Sequence, residues 1–197
     1  KKGSVVAIEP HSGEVLAMVS APGFNPDILV GPQRGAYYKK LSADADKPLF
    51  NRAIKATYRP GSIWKMVQGL IALDEGHIVP SSRFYCDRQI IGCHGPHRWD
   101  DLRQAVIHSC NPYFYKTMQK VVTAGDGDGR FERAANGLDA WRKRVSAFGF
   151  GSNLGGRLPG TSTGNIPDSR YYDRIYGSRR WDFGTIYSIA IGEGELL

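Results

Sequence analysis

Apolar and polar positions change period several times along this chain. Val5, Val6, Ala7 and Ile8 make one β-prone run, and Val15, Leu16, Ala17, Met18 and Val19 make a second. Pro10-His11-Ser12-Gly13 lies between them as a turn, so residues 4–20 are predicted to be a β-hairpin. Residues 28–58 are polar with little period and are expected to be irregular, apart from a compact mixed segment over 48–53. From Ser62 the spacing becomes helical. Ile63, Met66, Val67, Leu70, Ile71 and Leu73 cover a wide arc, which predicts a helix buried nearly all round and closed by Gly76 at its C′ position. Residues 80–99 read as loop. Asp100 and Asp101 signal a short helix through Ile107, and Pro112 suits the first turn of another reaching about Val122. The Asp/Gly run over 124–129 lacks the remaining ligands of a calcium loop and reads as a turn. Residues 130–147 form an amphipathic helix closed by Gly149 and Gly151, and 155–170 a Gly/Pro-rich loop.

Composition narrows the class. The 197 residues can bury a real core, and 41% hydrophobic with 23% charged residues is globular. The net charge of +7 is spread along the chain, with no basic helix or aromatic-interleaved basic run, so no nucleic-acid partner is expected. No apolar run approaches the ~20 residues of a membrane span, and no signal peptide opens the chain. Strand-like sequence at the start and Gly192-Glu193-Gly194-Glu195-Leu196-Leu197 at the end suggest cuts through a longer protein.

Candidate chemistry centres on Arg59-Pro60-Gly61-Ser62-Ile63-Trp64-Lys65. A Pro-Gly turn delivers a serine to a helix start, and Lys65 follows on the same face. A serine needs an adjacent base to act as a nucleophile, and lysine can be one if burial lowers its pKa from roughly 10.4. The helix N-terminus offers free N–H groups to an oxyanion. The same spacing also fits a capping serine with a solvated lysine one turn on. Ser109-Cys110-Asn111 stands at a later helix junction, where a serine and an asparagine could equally be a capping pair.

The ordered set Ser62-Ile63-Trp64-Lys65, Ser109-Cys110-Asn111 and Gly192-Glu193-Gly194-Glu195-Leu196 resembles the transpeptidase domain of penicillin-binding proteins. The opening hairpin, Phe24-Asn25-Pro26-Asp27, Asn51-Arg52-Ala53 and Gly155-Gly156-Arg157-Leu158-Pro159-Gly160 match that family's landmarks. The class B, elongation-type penicillin-binding protein 2 branch is the nearest in pattern. The resemblance implies an α/β (α+β) fold of the penicillin-binding protein and serine β-lactamase type, with a helical subdomain and part of an antiparallel sheet. It implies a D,D-transpeptidase that cross-links peptidoglycan stem peptides through an acyl-serine and is a target of β-lactams. By the same resemblance Ser62 is the nucleophile, Lys65 its base, Ser109 a proton relay, and Asn111 the residue that positions Lys65 and binds substrate backbone. Elongation-complex membrane proteins, including a glycosyltransferase, are the implied partners, at the periplasmic face of the bacterial inner membrane. One departure is clear: no Lys-Thr/Ser-Gly occurs in the chain. Residues 1–197 are therefore expected to be the N-terminal part of a transpeptidase domain, without membrane anchor, pedestal domain or C-terminal sheet strands, and with an incomplete active site. The rival readings are a class D-type serine β-lactamase or β-lactam sensor, which usually carries a hydrophobic residue in place of Asn111, and a non-catalytic scaffold.

The three cysteines, Cys86, Cys93 and Cys110, make with His97 a Cys₃His set suited to tetrahedral zinc. The resemblance adds weight, because members of the branch carry a metal site between the first two motifs, with one ligand at the middle position of S-x-N. A closed site of this kind would be structural. His94 could replace His97, Asp87 is a further candidate, and a Cys86–Cys93 disulfide or three free thiols are the alternatives.

Overall fold

The computed structural model describes residues 1–95, 97–153 and 158–197. They form two compact units. One comprises Lys1–Thr57 with the described part of Gly155–Ser162. The other comprises the described part of Tyr58–Leu154 with Thr163–Leu197.

The first unit is built on an antiparallel hairpin, β1 (Gly3–Ile8) and β2 (Val15–Ala21), with Val5 opposite Val19 and a register shift beside Ile8. Two sequence landmarks here are caps. The Asn25 side chain accepts from the Asp27 N–H at 2.9 Å and opens a 3₁₀ turn with proline at its first position. Asn51 does the same for Ala53 at the start of α2 (Arg52–Lys55). Arg52 is buried, and its guanidinium donates to the carbonyls of Asp46 (2.6 Å) and Lys47 (3.1 Å). Between them lies a helix the hydropathy pattern did not announce, α1 (Arg34–Ala43). Only Leu41 of its residues is buried, so it has no apolar stripe to betray it. The expectation of irregular chain over 28–58 is corrected accordingly.

The second unit is helical. It holds α3 (Trp64–Asp74), α4 (Leu102–Ile107), α5 (Asn111–Thr123), α6 (Arg130–Ala147), α7 (Ser169–Tyr176) and α8 (Phe183–Ile186). A short antiparallel pair, β3 (Phe84–Tyr85) and β4 (Trp99–Asp100), ties the ends of the segment expected to be plain loop. Helix α3 ends as predicted: Gly76 has φ +71°, and the N–H groups of Gly76 and His77 bond back to Leu73 and Ala72. It is not buried all round, however. Trp64, Lys65, Gln68, Gly69, Ile71 and Ala72 face the core, while Ile63, Met66 and Leu70 are exposed. Asp101 caps α4 reciprocally with Gln104, as its position suggested. Helices α5 and α6 approach so closely that a Cβ on Gly137 would lie 2.0 Å from the Val122 carbonyl oxygen. Tyr113, Phe114, Met118, Leu138 and Trp141 fill the core around this contact. Of the loop expected over 155–170, residues 155–157 lie outside the described residues; 158–168 carry no helix or strand, and Ser169 already opens α7. Among the described residues no helix is long and apolar enough to cross a membrane.

Candidate active site

Gly61 adopts φ +60°, a region natural to glycine, and turns the chain into a 3₁₀ segment, Gly61–Ile63, that runs directly into α3. Ser62 therefore sits on the first turn, exposed, and Lys65 sits below it, only 2% exposed. Lys65 Nζ lies 3.1 Å from Ser62 Oγ, 2.9 Å from Ser109 Oγ and 2.7 Å from the Ser109 carbonyl oxygen, and it also bonds Asn111 Oδ1. The sequence-predicted quartet of Ser62, Lys65, Ser109 and Asn111 thus converges on one amine. Burial lowers the Lys65 pKa below the ordinary lysine value, against a smaller opposing pull from the Cys93 and Cys110 thiols. Ser109 takes φ +50°, and from there it offers both its hydroxyl and its carbonyl to Lys65.

The Gly192-Glu193-Gly194 stretch lies against the turn that carries the serine. The Gly61 N–H donates to the Gly192 carbonyl at 2.9 Å, and Arg59 Nε donates to the Gly194 carbonyl at 2.9 Å. Gly192 has φ +78°, and a Cβ there would lie 2.1 Å from the Gly61 oxygen. These contacts give the third signature a physical meaning: glycine lets two backbones touch behind Ser62.

Beside this site, the sulfurs of Cys86 and Cys93 and a ring nitrogen of His97 lie within 4.8 Å of one another. The Cys110 thiol is fully buried against that of Cys86. All three cysteines are free thiols. His97 Nε2 is buried with no hydrogen-bond partner. A buried ring nitrogen with nothing to bond, next to convergent sulfurs, is the donor set and the vacancy in bonding that a soft tetrahedral cation satisfies. Three of the four residues named from sequence, Cys86, Cys93 and His97, are brought together; Cys110 joins through its contact with Cys86 and lies outside that close trio. His94 is outside this cluster, and Asp87 spends its carboxylate on the Gln89 N–H. Burial raises the pKa of Cys86 and Cys110. For Cys93 burial acts in the same direction but is outweighed by the Asn111 N–H, the Cys86 thiol and the Gly95 and His94 N–H groups, so its pKa falls.

Three contacts had no sequence signal. Asn111 Nδ2 donates to the Gly92 carbonyl at 2.6 Å; a backbone acceptor leaves no trace in residue type. The His97 ring stacks on that of His108, with centroids 4.5 Å apart and planes at 3°. His108 Nδ1 in turn lies 3.0 Å from Asp100 Oδ1.

A family model described as the penicillin binding protein transpeptidase domain matches residues 3–192. The chain belongs to that family. Peptidoglycan D,D-transpeptidase MrdA of Acinetobacter baumannii is 30% identical over 208 residues, spanning 98% of this chain and 28% of that protein. Pseudomonas aeruginosa PBP2, solved in complex with WCK 5153, superposes with TM-score 0.78 at 30% identity, over 99% of this chain and 43% of that one. Penicillin-binding protein A of Mycobacterium tuberculosis, solved as a penicillin G acyl-enzyme complex, gives 0.71 at 27% identity, over 99% and 42%. The chain therefore spans less than a third of the curated relative and under half of each solved one. The expected fold class, mixed helix and antiparallel strand on the transpeptidase pattern, is the one observed.

Proposed function

We propose that this chain carries the nucleophile and base of a peptidoglycan D,D-transpeptidase that works through an acyl-serine and is acylated by β-lactams. The observation that carries the reading is the buried Lys65 amine, bonded to both Ser62 Oγ and Ser109 Oγ. A surface lysine after a capping serine would have neither the burial nor the second hydroxyl.

Ser62 Oγ attacks the carbonyl of the penultimate D-Ala of a stem peptide, and its proton passes to neutral Lys65 Nζ. The Ser62 N–H, at the start of the helix, supports the developing oxyanion. Ser109 carries the proton from Lys65 to the departing D-Ala amine, which leaves Ser62 acylated. The amine of a second stem peptide then attacks the ester, its proton returns through the same groups, and the cross-link closes. A β-lactam enters the same first step and stops there. Asn111 holds Lys65 through Oδ1; its Nδ2 is engaged by Gly92, so a role in binding substrate backbone would require that bond to open. A serine hydrolase of the class D type is less well supported, because Asn111 bonds the lysine directly.

Cys86, Cys93, Cys110 and His97 would hold a structural zinc ion. It would supply rigidity to the segment between β3 and β4 and no chemistry to the acyl transfer. Substrate in the cell wall and partners in an elongation complex, a glycosyltransferase among them, would place the whole protein at the periplasmic face of the inner membrane.

The test is labelling of the intact protein with fluorescent penicillin, chased by deacylation. Stable label on the wild type and none on Ser62→Ala is expected. Label on Ser62→Ala, or rapid turnover of the wild-type adduct, overturns the reading.

A further inference from the structure

His97 stands between two groups. One of its ring nitrogens lies within 4.8 Å of the Cys86 and Cys93 sulfurs, and its ring lies on that of His108, with centroids 4.5 Å apart and planes at 3°. His108 is itself held, since its Nδ1 lies 3.0 Å from Asp100 Oδ1. A carboxylate can only accept, so His108 Nδ1 carries the hydrogen of this bond. Asp100 belongs to β4 and is 2% exposed; its carboxylate has no other hydrogen-bond partner among the described residues, and its Oδ2 has none at all. A buried carboxylate that gave up this bond would be left unpaired, at a cost that holds the bond in place. One ring is thus fixed by a strand, and the other lies flat on it. We propose that His108, fixed by Asp100, is a positioning residue that sets the plane of His97 and so aims His97 Nε2 at the thiols and the zinc ion they would hold. The proposal rests on the reading of Cys86, Cys93, Cys110 and His97 as zinc ligands. His97 Nε2 is buried without a hydrogen-bond partner, which leaves it free for that role.

His97, Asp100 and His108 also have ligand atoms within 4.8 Å of one another, so a second cation site is the competing reading. The stacking argues against it. Imidazole lone pairs lie in the ring plane, and two stacked parallel rings share no plane, so one cation cannot lie in line with the lone pairs of both. The arrangement is instead that of an outer shell, in which a carboxylate orients a ligating histidine; here the carboxylate acts through a second ring. Without the His108 face, His97 can turn about its side-chain bonds and carry Nε2 away from the sulfurs. Without the Asp100 bond, the supporting ring can tilt and take His97 with it.

The experiment measures zinc affinity by competition with a chelating dye, together with Tm, in the intact protein. It compares wild type, His108→Asn, His108→Phe, His97→Ala and the double variant of His97→Ala with His108→Asn. The side-chain N–H of asparagine can still bond Asp100, so His108→Asn keeps the buried carboxylate paired and removes the ring alone. It should bind zinc roughly tenfold to a hundredfold more weakly than wild type, the scale for loss of an outer-shell partner. His108→Phe keeps a ring and loses the bond, and it too should bind more weakly than wild type. In the His97→Ala background, where the three thiols remain, His108→Asn should cost nothing further, because His108 reaches the metal only through His97. Wild-type affinity in His108→Asn overturns the proposal. An equal loss with and without His97 overturns it as well, by making His108 a ligand or a general support of the fold. Full affinity in His108→Phe overturns the part given to Asp100; if that variant does not fold, His108→Asn with and without His97 decides. Wild type that takes up no zinc overturns the metal reading and this proposal with it, whereas the other failures leave the metal reading standing.

Discussion

Replacing Gly192 by alanine perturbs the nucleophile without touching any group that reacts. The new Cβ would stand 2.1 Å from the Gly61 oxygen and 2.8 Å from the Gly61 carbon and nitrogen. Carbon atoms do not approach a carbonyl oxygen closer than about 3 Å, so the two strands of backbone must part by roughly 0.9 Å. Alanine must also accept φ +78°, at a cost of about 1–2 kcal/mol. Separation breaks the Gly61 N–H bond to the Gly192 carbonyl, roughly 1 kcal/mol more. The expected stability loss is thus about 2–3 kcal/mol before relaxation. Gly61 precedes Ser62 directly, and about 1 Å of error at a nucleophile costs on the order of 10²-fold in rate. The assay pairs thermal unfolding with the acylation rate for a fluorescent penicillin in the intact protein. Gly129→Ala is the control, since its Cβ would meet nothing within 4 Å and its φ is not positive. A Gly192→Ala protein that acylates at the wild-type rate with unchanged Tm would refute the claim that this glycine contact seats Ser62.

Lys65→Arg keeps a cation of similar reach but one that is not deprotonated in proteins, so acylation should fall by roughly 10²–10⁴-fold; a fall of less than tenfold would remove Lys65 as the base. Burial lowers the Lys65 pKa below its ordinary 10.5, so the wild-type acylation rate should climb with pH and level off below that value. In the same window the unfolded chain binds more protons than the folded one, so stability rises with pH across it and is lost as pH falls through the folded pKa; flat profiles in both would contradict the burial argument. Gly137→Ala would force a Cβ 2.0 Å from the Val122 oxygen and should destabilise by about 1–3 kcal/mol or more, read as a lower Tm. Treatment with a strong chelator should lower Tm and expose Cys86, Cys93 and Cys110 to a thiol reagent; protein that lacks zinc as isolated, with all three thiols already reactive, would contradict the metal reading.

Much of this site can be read from sequence because its parts are local. Helix period carries Ser62 and Lys65 onto one face, and the proline after Asn111 marks the start of α5. The caps at Asn25, Asn51 and Asp101 are likewise short-range signals. What escaped the sequence depends on surroundings. Helix α1 buries almost nothing, so its pattern is silent. The exposure of Ile63, Met66 and Leu70 on α3 follows from which neighbours exist, which no periodicity states. The Gly92 carbonyl and the stacked His97 and His108 rings meet their partners only in the folded chain.

The bonding of Lys65 also dictates an order of events. An amine nitrogen has three directions besides its own side chain. Two of its partners, the Ser109 carbonyl and Asn111 Oδ1, can never donate, so each claims a hydrogen whether lysine is charged or neutral. A single direction is left for two hydroxyls, those of Ser62 and Ser109. That direction holds either one proton or one lone pair, never one of each. The two serines therefore take turns: Lys65 cannot draw a proton from Ser62 and from Ser109 together, and a proton it takes from one it can hand to the other through that same direction. The four oxygens make the amine a single-seat carrier between the bond that forms and the bond that breaks.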